Sequence, residues 1–138
     1  MRGRRLAFDY GDVRIGVAAC DADAILVSPL KVLQAHSKTL LAEISAIIAE
    51  VQPIRIYVGL PVNMSGTSGD SAEKATNFAK VLFEEFAVEV LMIDERLSTV
   101  SAQRKLKDAG ISTRESKTLI DAMAAVAILE QGLASETR

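Results

Sequence analysis

The sequence contains one cysteine, Cys20, one histidine, His36, and no tryptophan. A lone cysteine excludes an internal disulfide and is typical of a reducing, cytoplasmic compartment. One thiol and one imidazole are too few for a zinc site built from thiolates and imidazoles. The two tyrosines and four phenylalanines offer few rings for base stacking, the usual means of gripping single-stranded nucleic acid. If the chain binds nucleic acid, we therefore expect it to recognise duplex or junction shape.

The sequence also lacks a long apolar run. Only a short apolar strand follows the basic start MRGRR, and it is too short for the apolar core of a signal peptide. No stretch approaches the roughly 18 apolar residues that predict a membrane span. The formal net charge is −2, so the chain has no overall basic surplus to attract phosphates. Basic residues nevertheless cluster near the N-terminus and between residues 104 and 117, which allows a basic face on an acidic protein.

The length of 138 residues is in the range expected of one domain, which we place at 1–138. Three predicted strands, at 4–9, 14–21 and 24–33, are joined by short connections. Short connections predict that neighbouring strands run antiparallel. Pro29 lacks an amide hydrogen for strand pairing and so indicates an edge strand.

The rest of the chain alternates helices and strands. Apolar residues at helical spacing predict a helix over 37–51, with Ser37 as its cap. The later elements are predicted as strands at 54–60 and 88–94 and as helices at 68–86, 98–110 and from 112 onward. This alternation predicts parallel pairing through right-handed crossovers. The fold class is therefore α/β and RNase-H-like: a mixed five-stranded sheet, three antiparallel strands and then two parallel, flanked by helices.

Acidic residues stand at three places where a solvated charge is not expected. Asp9 ends the first apolar strand, Asp94 and Glu95 follow the apolar run VLMI, and Asp121 follows TLI in the last helix. Asp121 lies at the margin of a predicted packed stripe, whose members are Ile120, Met123, Ala124, Ala127 and Ile128. Burying an ionised carboxylate costs several kcal/mol unless it is paired or bound to a cation.

These carboxylates point to a divalent metal site. Functional groups gather at the carboxyl ends of strands in open sheets, and converging carboxylates repel one another unless a hard cation binds them. Two such ions about 3.5–4 Å apart can hold both oxygens of a phosphoryl displacement. Each residue also has a structural alternative. Asp9 could cap the YGDV turn, Asp121 could pair with Lys117, and the pattern alone does not choose between Asp94 and Glu95.

Four segments carry a resemblance to a known family: FDYGDVRIGVAACD, VGLPVNMSGTSGDSAEKATNFAKVL, IDERLSTVSAQRKL and LIDAMAAVAILEQGL. Together they resemble the YqgF/RuvX family of Holliday-junction-resolvase-like proteins, also described as pre-16S rRNA nucleases. The resemblance covers nearly the whole chain. It implies an RNase-H-like nuclease that uses Mg²⁺ or Mn²⁺ to cleave structured nucleic acid, in pre-16S rRNA 5′-end processing or Holliday-junction resolution. By position, the catalytic and metal-binding acids would be Asp9, Glu95 and Asp121, with Asp94 facing the other way.

Four further residues are candidates for contacts with nucleic acid. Arg14 lies on the strand next to Asp9 and is the best candidate for a phosphate contact. Asn63 and Thr67, in a glycine-containing loop that enters a helix, could donate hydrogen bonds to a phosphate. Arg96 could neutralise the scissile phosphate or pair with a neighbouring acid.

The sequence departs from the family pattern beside Arg14. Family members commonly carry a basic residue immediately before this arginine, whereas this chain has Val13 preceded by Asp12. The change removes a phosphate contact and adds a negative charge near the predicted metals. We therefore expect this departure to affect substrate affinity more than the cleavage reaction itself.

Three functions are compatible with these residues. The first is a metal-dependent endonuclease, and the second is a nucleic-acid-binding or ribosome-assembly adaptor that keeps the fold without the activity. The third is an actin-like ATPase or sugar kinase, which opens with a similar Asp–x–Gly turn. Those proteins close two such domains around ATP, and 138 residues supply only one. The complete set of acids favours the nuclease over the adaptor.

The sequence leaves the oligomeric state open. A junction resolvase needs two symmetry-related active sites and hence a homodimer, whereas an RNA-processing enzyme could act as a monomer. Cys20 alternates with Arg14, Gly16 and Ala18 along one side of the second strand, which predicts a buried small hydrophobe. An exposed thiol that links two chains by a disulfide is the alternative. No membrane partner is predicted.

Overall fold

A computed structural model of the chain describes residues 2–60, 70–94 and 113–136. Its strands are β1 (Arg5–Tyr10), β2 (Arg14–Cys20), β3 (Val27–Gln34), β4 (Arg55–Leu60) and β5 (Glu89–Asp94). Its helices are α1 (Leu40–Val51), α2 (Asp70–Phe86) and α3 (Thr113–Glu136). The predicted helix at 98–110 lies outside the described residues.

The five strands form one sheet in the order β3-β2-β1-β4-β5. The first three strands pair antiparallel, whereas β4 runs parallel to β1 and β5 runs parallel to β4. The predicted mixed sheet is therefore confirmed. Pro29 lies on the edge strand β3, as predicted, beside an irregularity in the pairing of β2 at Val17 and Ala18. The carboxyl ends of the three mutually parallel strands meet at one edge, which we call the carboxyl edge.

Each face of the sheet carries its own apolar cluster, because successive side chains of a strand point to opposite sides. On one face the sheet packs against α1 and α2, in a cluster that includes Leu6, Phe8, Ile15, Val58, Ile44 and Leu82. On the other face the sheet packs against α3, in a cluster that includes Ala7, Ala18, Cys20, Tyr57, Ala125, Ile128 and Leu129. The side chains on this second face are mostly small, so α3 lies close to the strands.

Two glycines allow this close approach of α3. A Cβ atom on Gly16 would collide with the backbone carbonyl of Asp121, and one on Gly132 would collide with the ring of Tyr57. The helix is thus held near the sheet at two places along its length. Although α3 has 24 residues, none of the described helices is long and apolar enough to cross a membrane.

The buried side of α3 differs from the predicted stripe. Ala124 and Ile128 are buried as predicted, but Met123 and Ala127 are only half-buried, whereas Ala125 and Leu129, outside the predicted stripe, are completely buried. An alanine-rich helix shows little contrast between its faces, so the apolar pattern alone does not determine which face packs. The close contacts at Gly16 and Gly132 are compatible with the face that packs in the structure.

The start of α1 also differs from the prediction. The helix begins at Leu40 with Thr39 as its cap residue, and no side chain bonds to the helix amides there. Ser37 does not cap the helix, because its hydroxyl accepts a hydrogen bond from the Thr39 amide at 3.2 Å. A serine hydroxyl often bonds locally to the backbone two residues on, and here that turn precedes the helix.

Candidate nuclease site

Asp9 and Asp121 come together on the α3 face of the sheet. Asp9 lies directly opposite Gly16 in the antiparallel pairing of β1 with β2. It is two residues after Ala7, which packs against α3, so its side chain points to that same face. The missing side chain of Gly16 lets the backbone of Asp121 pass directly over this point. The strand pairing and this backbone contact therefore place Asp9 and Asp121 on the same face of the sheet at the carboxyl edge, in a region that we call the cleft.

Arg14 places a positively charged guanidinium in this cleft. Its Nε donates a hydrogen bond to Oδ2 of Asp121 at 2.5 Å. The Arg14 side chain is 33% exposed and that of Asp121 is 21% exposed, so the pair is partly withdrawn from water. A charge-assisted contact this short is stronger than an ordinary hydrogen bond. The predicted phosphate-binding arginine thus lies next to one of the predicted acids.

The end of β5 brings a further acidic segment to the carboxyl edge. Asp94 pairs with Leu60 at the end of β4, and β4 separates it from β1. Met92, two residues earlier, packs on the face covered by α1 and α2. Strand alternation places Asp94 on that face too, away from Asp9 and Asp121. This agrees with the interpretation that Asp94 is not the ligand.

The remaining predicted site residues, Glu95, Arg96, Asn63 and Thr67, lie outside the described residues. Within residues 2–60, 70–94 and 113–136, no three His, Cys, Asp or Glu side chains are grouped so that they could hold a metal ion. Asp9 and Asp121 supply two of the three predicted ligands. Glu95 stays a prediction.

The donor set of the cleft fits a hard divalent cation. Carboxylate oxygens are what Mg²⁺ and Mn²⁺ prefer, and Mg²⁺ usually takes only one or two protein carboxylates together with waters and substrate phosphates. The cleft also already stabilises one positive charge, that of Arg14, at Asp121. Two carboxylates beside an arginine can hold a cation, orient a water and bind a phosphate.

Lys74 of α2 contacts the turn that follows Asp9 in the chain. Its Nζ lies 3.1 Å from Oδ1 of Asp12, in the turn that joins β1 to β2. Both side chains are more than half exposed, so the pair is a surface contact of modest strength. The charge of Asp12, which departs from the family pattern, is therefore balanced by a lysine from α2. Nothing in the spacing of these residues could have indicated the contact.

At the opposite end of the parallel strands, Glu136 bonds the C-terminal end of α3 to the sheet. Its carboxylate accepts a hydrogen bond from Nη2 of Arg5 at 2.6 Å and another from the hydroxyl of Tyr57. Nη1 of Arg55 lies 3.1 Å from the same carboxylate. The buried Arg5 side chain is only 3% exposed. The one sequence signal for this network was an arginine at the start of an apolar strand.

The ionisation of Glu136 and Tyr57 reflects this network. Burial would raise the pKa of Glu136, but hydrogen bonds from Tyr57 and Arg5 and the nearby arginine charges outweigh it and hold that pKa below its ordinary value. Burial and the hydrogen bond to Glu136 raise the pKa of Tyr57 to about 12. The carboxylate is therefore ionised and the phenol neutral at physiological pH, so the network keeps α3 seated on the sheet.

Cys20 is a core residue. Its side chain is packed beneath α3, the residue is 2% exposed, and Sγ accepts a hydrogen bond from the amide of Arg5 at 3.3 Å. Burial raises the pKa of the thiol. The prediction of a buried small hydrophobe is confirmed.

Comparison with known proteins identifies the family. The RuvX family model, described as Holliday junction resolvase, matches residues 3–135. A Streptomyces coelicolor protein named "Putative pre-16S rRNA nuclease" is 41% identical over 142 residues, covering 98% of this chain and 82% of the relative. A protein of the same name from Mycobacterium tuberculosis is 42% identical over 134 residues, covering 96% of this chain and 79% of the relative.

Solved structures agree on the fold. Thermus thermophilus RuvC in complex with a Holliday junction substrate matches with a TM-score of 0.62 at 14% identity, covering 98% of this chain and 96% of that chain. A second structure of the same protein gives a TM-score of 0.57 at 14% identity, covering 97% of this chain and 96% of that chain. These matches confirm the RNase-H-like fold. With the family match and relatives at 40–42% identity, they establish that this chain belongs to the RuvX family of Holliday-junction-resolvase-like nucleases.

Proposed function

We propose that this chain is a divalent-metal-dependent endonuclease that hydrolyses phosphodiester bonds in structured nucleic acid. The observation that supports this most is the shared position of Asp9 and Asp121, which both adjoin Gly16 at the carboxyl edge. Two acids from elements far apart in the sequence, together in one cleft with an arginine, form an arrangement suited to phosphoryl chemistry. A solely structural role for Asp9 as a turn cap would not require Asp121 beside it.

In this proposal Asp9, Glu95 and Asp121 hold Mg²⁺ or Mn²⁺. When bound, the cation supplies Lewis-acid stabilisation of the phosphate and lowers the pKa of a water. Asp9 is fixed by the sheet and Asp121 by α3, so the two carboxylates keep their relative positions while substrate binds. Without a bound cation, Asp121 holds Arg14 through the contact of 2.5 Å between Nε and Oδ2.

Contacts to the nucleic-acid backbone are assigned to Arg14, Asn63, Thr67 and Arg96. Such contacts carry no sequence information and instead set the position of the strand. With a net charge of −2, the chain must gain its affinity from a local group of cations and not from its overall charge. Lys74 reduces the unfavourable charge of Asp12 at the same edge.

The substrate class that we propose first is precursor 16S rRNA, cleaved near its 5′ end, because the relatives at 40–42% identity carry that name. A four-way DNA junction is the second candidate, from the description of the family model. An RNA substrate and the lone reduced cysteine both support a cytoplasmic location. A junction substrate would require a homodimer. Because Cys20 is buried, we do not assign it a disulfide between two chains.

Cleavage of labelled precursor 16S rRNA and labelled four-way junctions, with Mg²⁺ and with Mn²⁺, tests the proposal. Asp9→Asn and Asp121→Asn remove one charge each from the cleft while keeping side-chain shape, and both should abolish cleavage. Asp23→Asn is the matched control, since Asp23 is an exposed acid paired with Arg2 at the far end of the molecule. It should leave cleavage unchanged.

The same assay separates the nuclease from the adaptor. If the folded wild-type protein binds either substrate but cleaves neither, the proposed activity is wrong and the adaptor function is supported. If cleavage persists in both acid variants, the metal site is wrongly assigned. The substrate that is cleaved identifies the substrate class, RNA or branched DNA.

A further inference from the structure

Arg14 and Asp121 form a short charged contact at the cleft. The contact joins Nε of Arg14 to Oδ2 of Asp121 at 2.5 Å, and both side chains are at least two-thirds withdrawn from water. A second cation that binds Asp121 is repelled by the guanidinium, whose positive charge already lies against Oδ2. A metal ion at Asp121 must therefore compete with the guanidinium.

The geometry of β2 explains why this pairing is built into the fold. Arg14 and Gly16 are two residues apart on one strand, so both face α3. Gly16 admits the backbone of Asp121, and that close approach brings the carboxylate within reach of Arg14. The same backbone contact that places Asp121 beside Asp9 therefore also places it against an arginine.

We propose that Arg14 is a positioning residue that exchanges partners: it holds Asp121 until a divalent cation binds there, and it then turns to a phosphate of the nucleic acid. The inference rests on the proposed function, because the metal is the one that Asp9 and Asp121 would hold. Arg14 thus lowers the affinity of the site for free metal and keeps Asp121 inside the cleft. The guanidinium released by the cation is then available to bind the substrate.

The first test is Mn²⁺ binding, measured by electron paramagnetic resonance of free Mn²⁺ during titration, with no nucleic acid present. Arg14→Gln removes the competing charge and should bind Mn²⁺ about fivefold or more tightly than wild type, the size expected for loss of a partly buried ion pair. Arg14→Lys keeps a cation at the site and should stay close to wild type. Arg2→Gln is the matched control, since it removes one positive charge from an exposed pair with Asp23 at the opposite end of β1.

Three results would overturn the inference. Equal Mn²⁺ affinity in Arg14→Gln and wild type would show that Arg14 does not compete. Weaker affinity in Arg14→Gln would show that the arginine instead prepares Asp121 for the cation. Equal tightening in Arg2→Gln would assign the effect to net charge. If wild type binds no Mn²⁺ at all, the proposed function fails together with this inference, and that outcome differs from the other three.

A second measurement uses the unmodified protein, so it does not depend on whether the variant folds. The Nε–H resonance of Arg14 is observed by ¹⁵N NMR while Mg²⁺ is added. The exchange predicts that this resonance moves toward that of an exposed arginine as the site fills. If the Asp9 or Asp121 signals respond to Mg²⁺ while the Arg14 resonance does not move, the exchange does not occur.

Discussion

Gly16 of β2 and Asp121 of α3 meet backbone to backbone, so closely that even a methyl group on Gly16 would overlap the Asp121 carbonyl. The contact has two consequences. It lets the alanine-rich helix α3 lie directly on the sheet. It also places Asp121 above the paired strands β1 and β2, and β1 carries Asp9. The position of the site is therefore a property of how α3 packs.

Gly16→Ala should consequently disturb both stability and the site. A forced shift of α3 costs about 1–3 kcal/mol of unfolding free energy, as for other overpacked cores. The shift also moves Asp121 away from Asp9. Mn²⁺ affinity and cleavage should therefore decrease by more than the fraction of unfolded protein explains. Chemical denaturation and Mn²⁺ titration of the same samples measure the two effects.

Gly132→Ala is the matched control for that change. It places a methyl group against the Tyr57 ring at the other end of the same helix. We expect a comparable loss of stability with Mn²⁺ affinity largely kept. If both variants lose Mn²⁺ affinity to the same degree, the special role of Gly16 is disproved.

Glu136→Gln should destabilise the protein at neutral pH by about 2 kcal/mol, the size of lost hydrogen bonds to a charged group. The pKa of Glu136 is held below its ordinary value of 4.5 in the folded state, so its contribution is complete above 4.5 and is lost as the pH falls through the folded pKa. The stability difference between wild type and variant should therefore shrink below pH 4.5. Thermal unfolding at a series of pH values measures it, and a difference that stays constant down to the acid limit would contradict the account.

Lys74 should shield the substrate from Asp12. In wild type, Asp12→Asn should raise affinity for nucleic acid only slightly, because Lys74 lies 3.1 Å away and already balances the charge. In a Lys74→Gln background the same substitution should raise affinity more, by about two- to fivefold, the range for exposed charge pairs. Fluorescence anisotropy with all four proteins completes a double-mutant cycle. Equal effects in the two backgrounds would mean that the pair is not coupled.

Cys20 should react slowly with thiol reagents in the native protein and quickly after denaturation. The thiol is 2% exposed and burial raises its pKa, so little thiolate is present to react. The rate of modification by a colorimetric disulfide reagent, with and without denaturant, checks this. A disulfide-linked dimer formed by the native protein under mild oxidation would contradict it.

The sequence was sufficient to predict the sheet, and it singled out Asp9 and Asp121, which the structure places on one face; their role stays a prediction. Short connections between the first three strands required antiparallel pairing, and a charge inside the apolar run LAFD pointed to Asp9. Asp121 was found because a carboxylate stood at the margin of an apolar helix. In each case the sequence pattern that pointed to the residue lay in the residue's own strand or helix.

The sequence could not predict contacts made between distant segments. Arg14 and Asp121 are 107 residues apart, and Lys74 and Asp12 are 62 residues apart. Neither pair leaves a local pattern, because each depends on where a helix settles on the sheet. The buried face of α3 was predicted only in part for the same reason: Ala124 and Ile128 are buried as expected, but the alanines give the faces too little contrast to identify the others.

The central claim is that Asp9 and Asp121 share a cation, and Mn²⁺ binding tests it most directly. The number and affinity of bound Mn²⁺ ions should be measured for wild type, Asp9→Asn, Asp121→Asn and the distant control Asp23→Asn. The account predicts that either cleft variant loses the tightest Mn²⁺ site and that the control keeps it. If both cleft variants bind Mn²⁺ as tightly as wild type, Asp9 and Asp121 do not form a metal site.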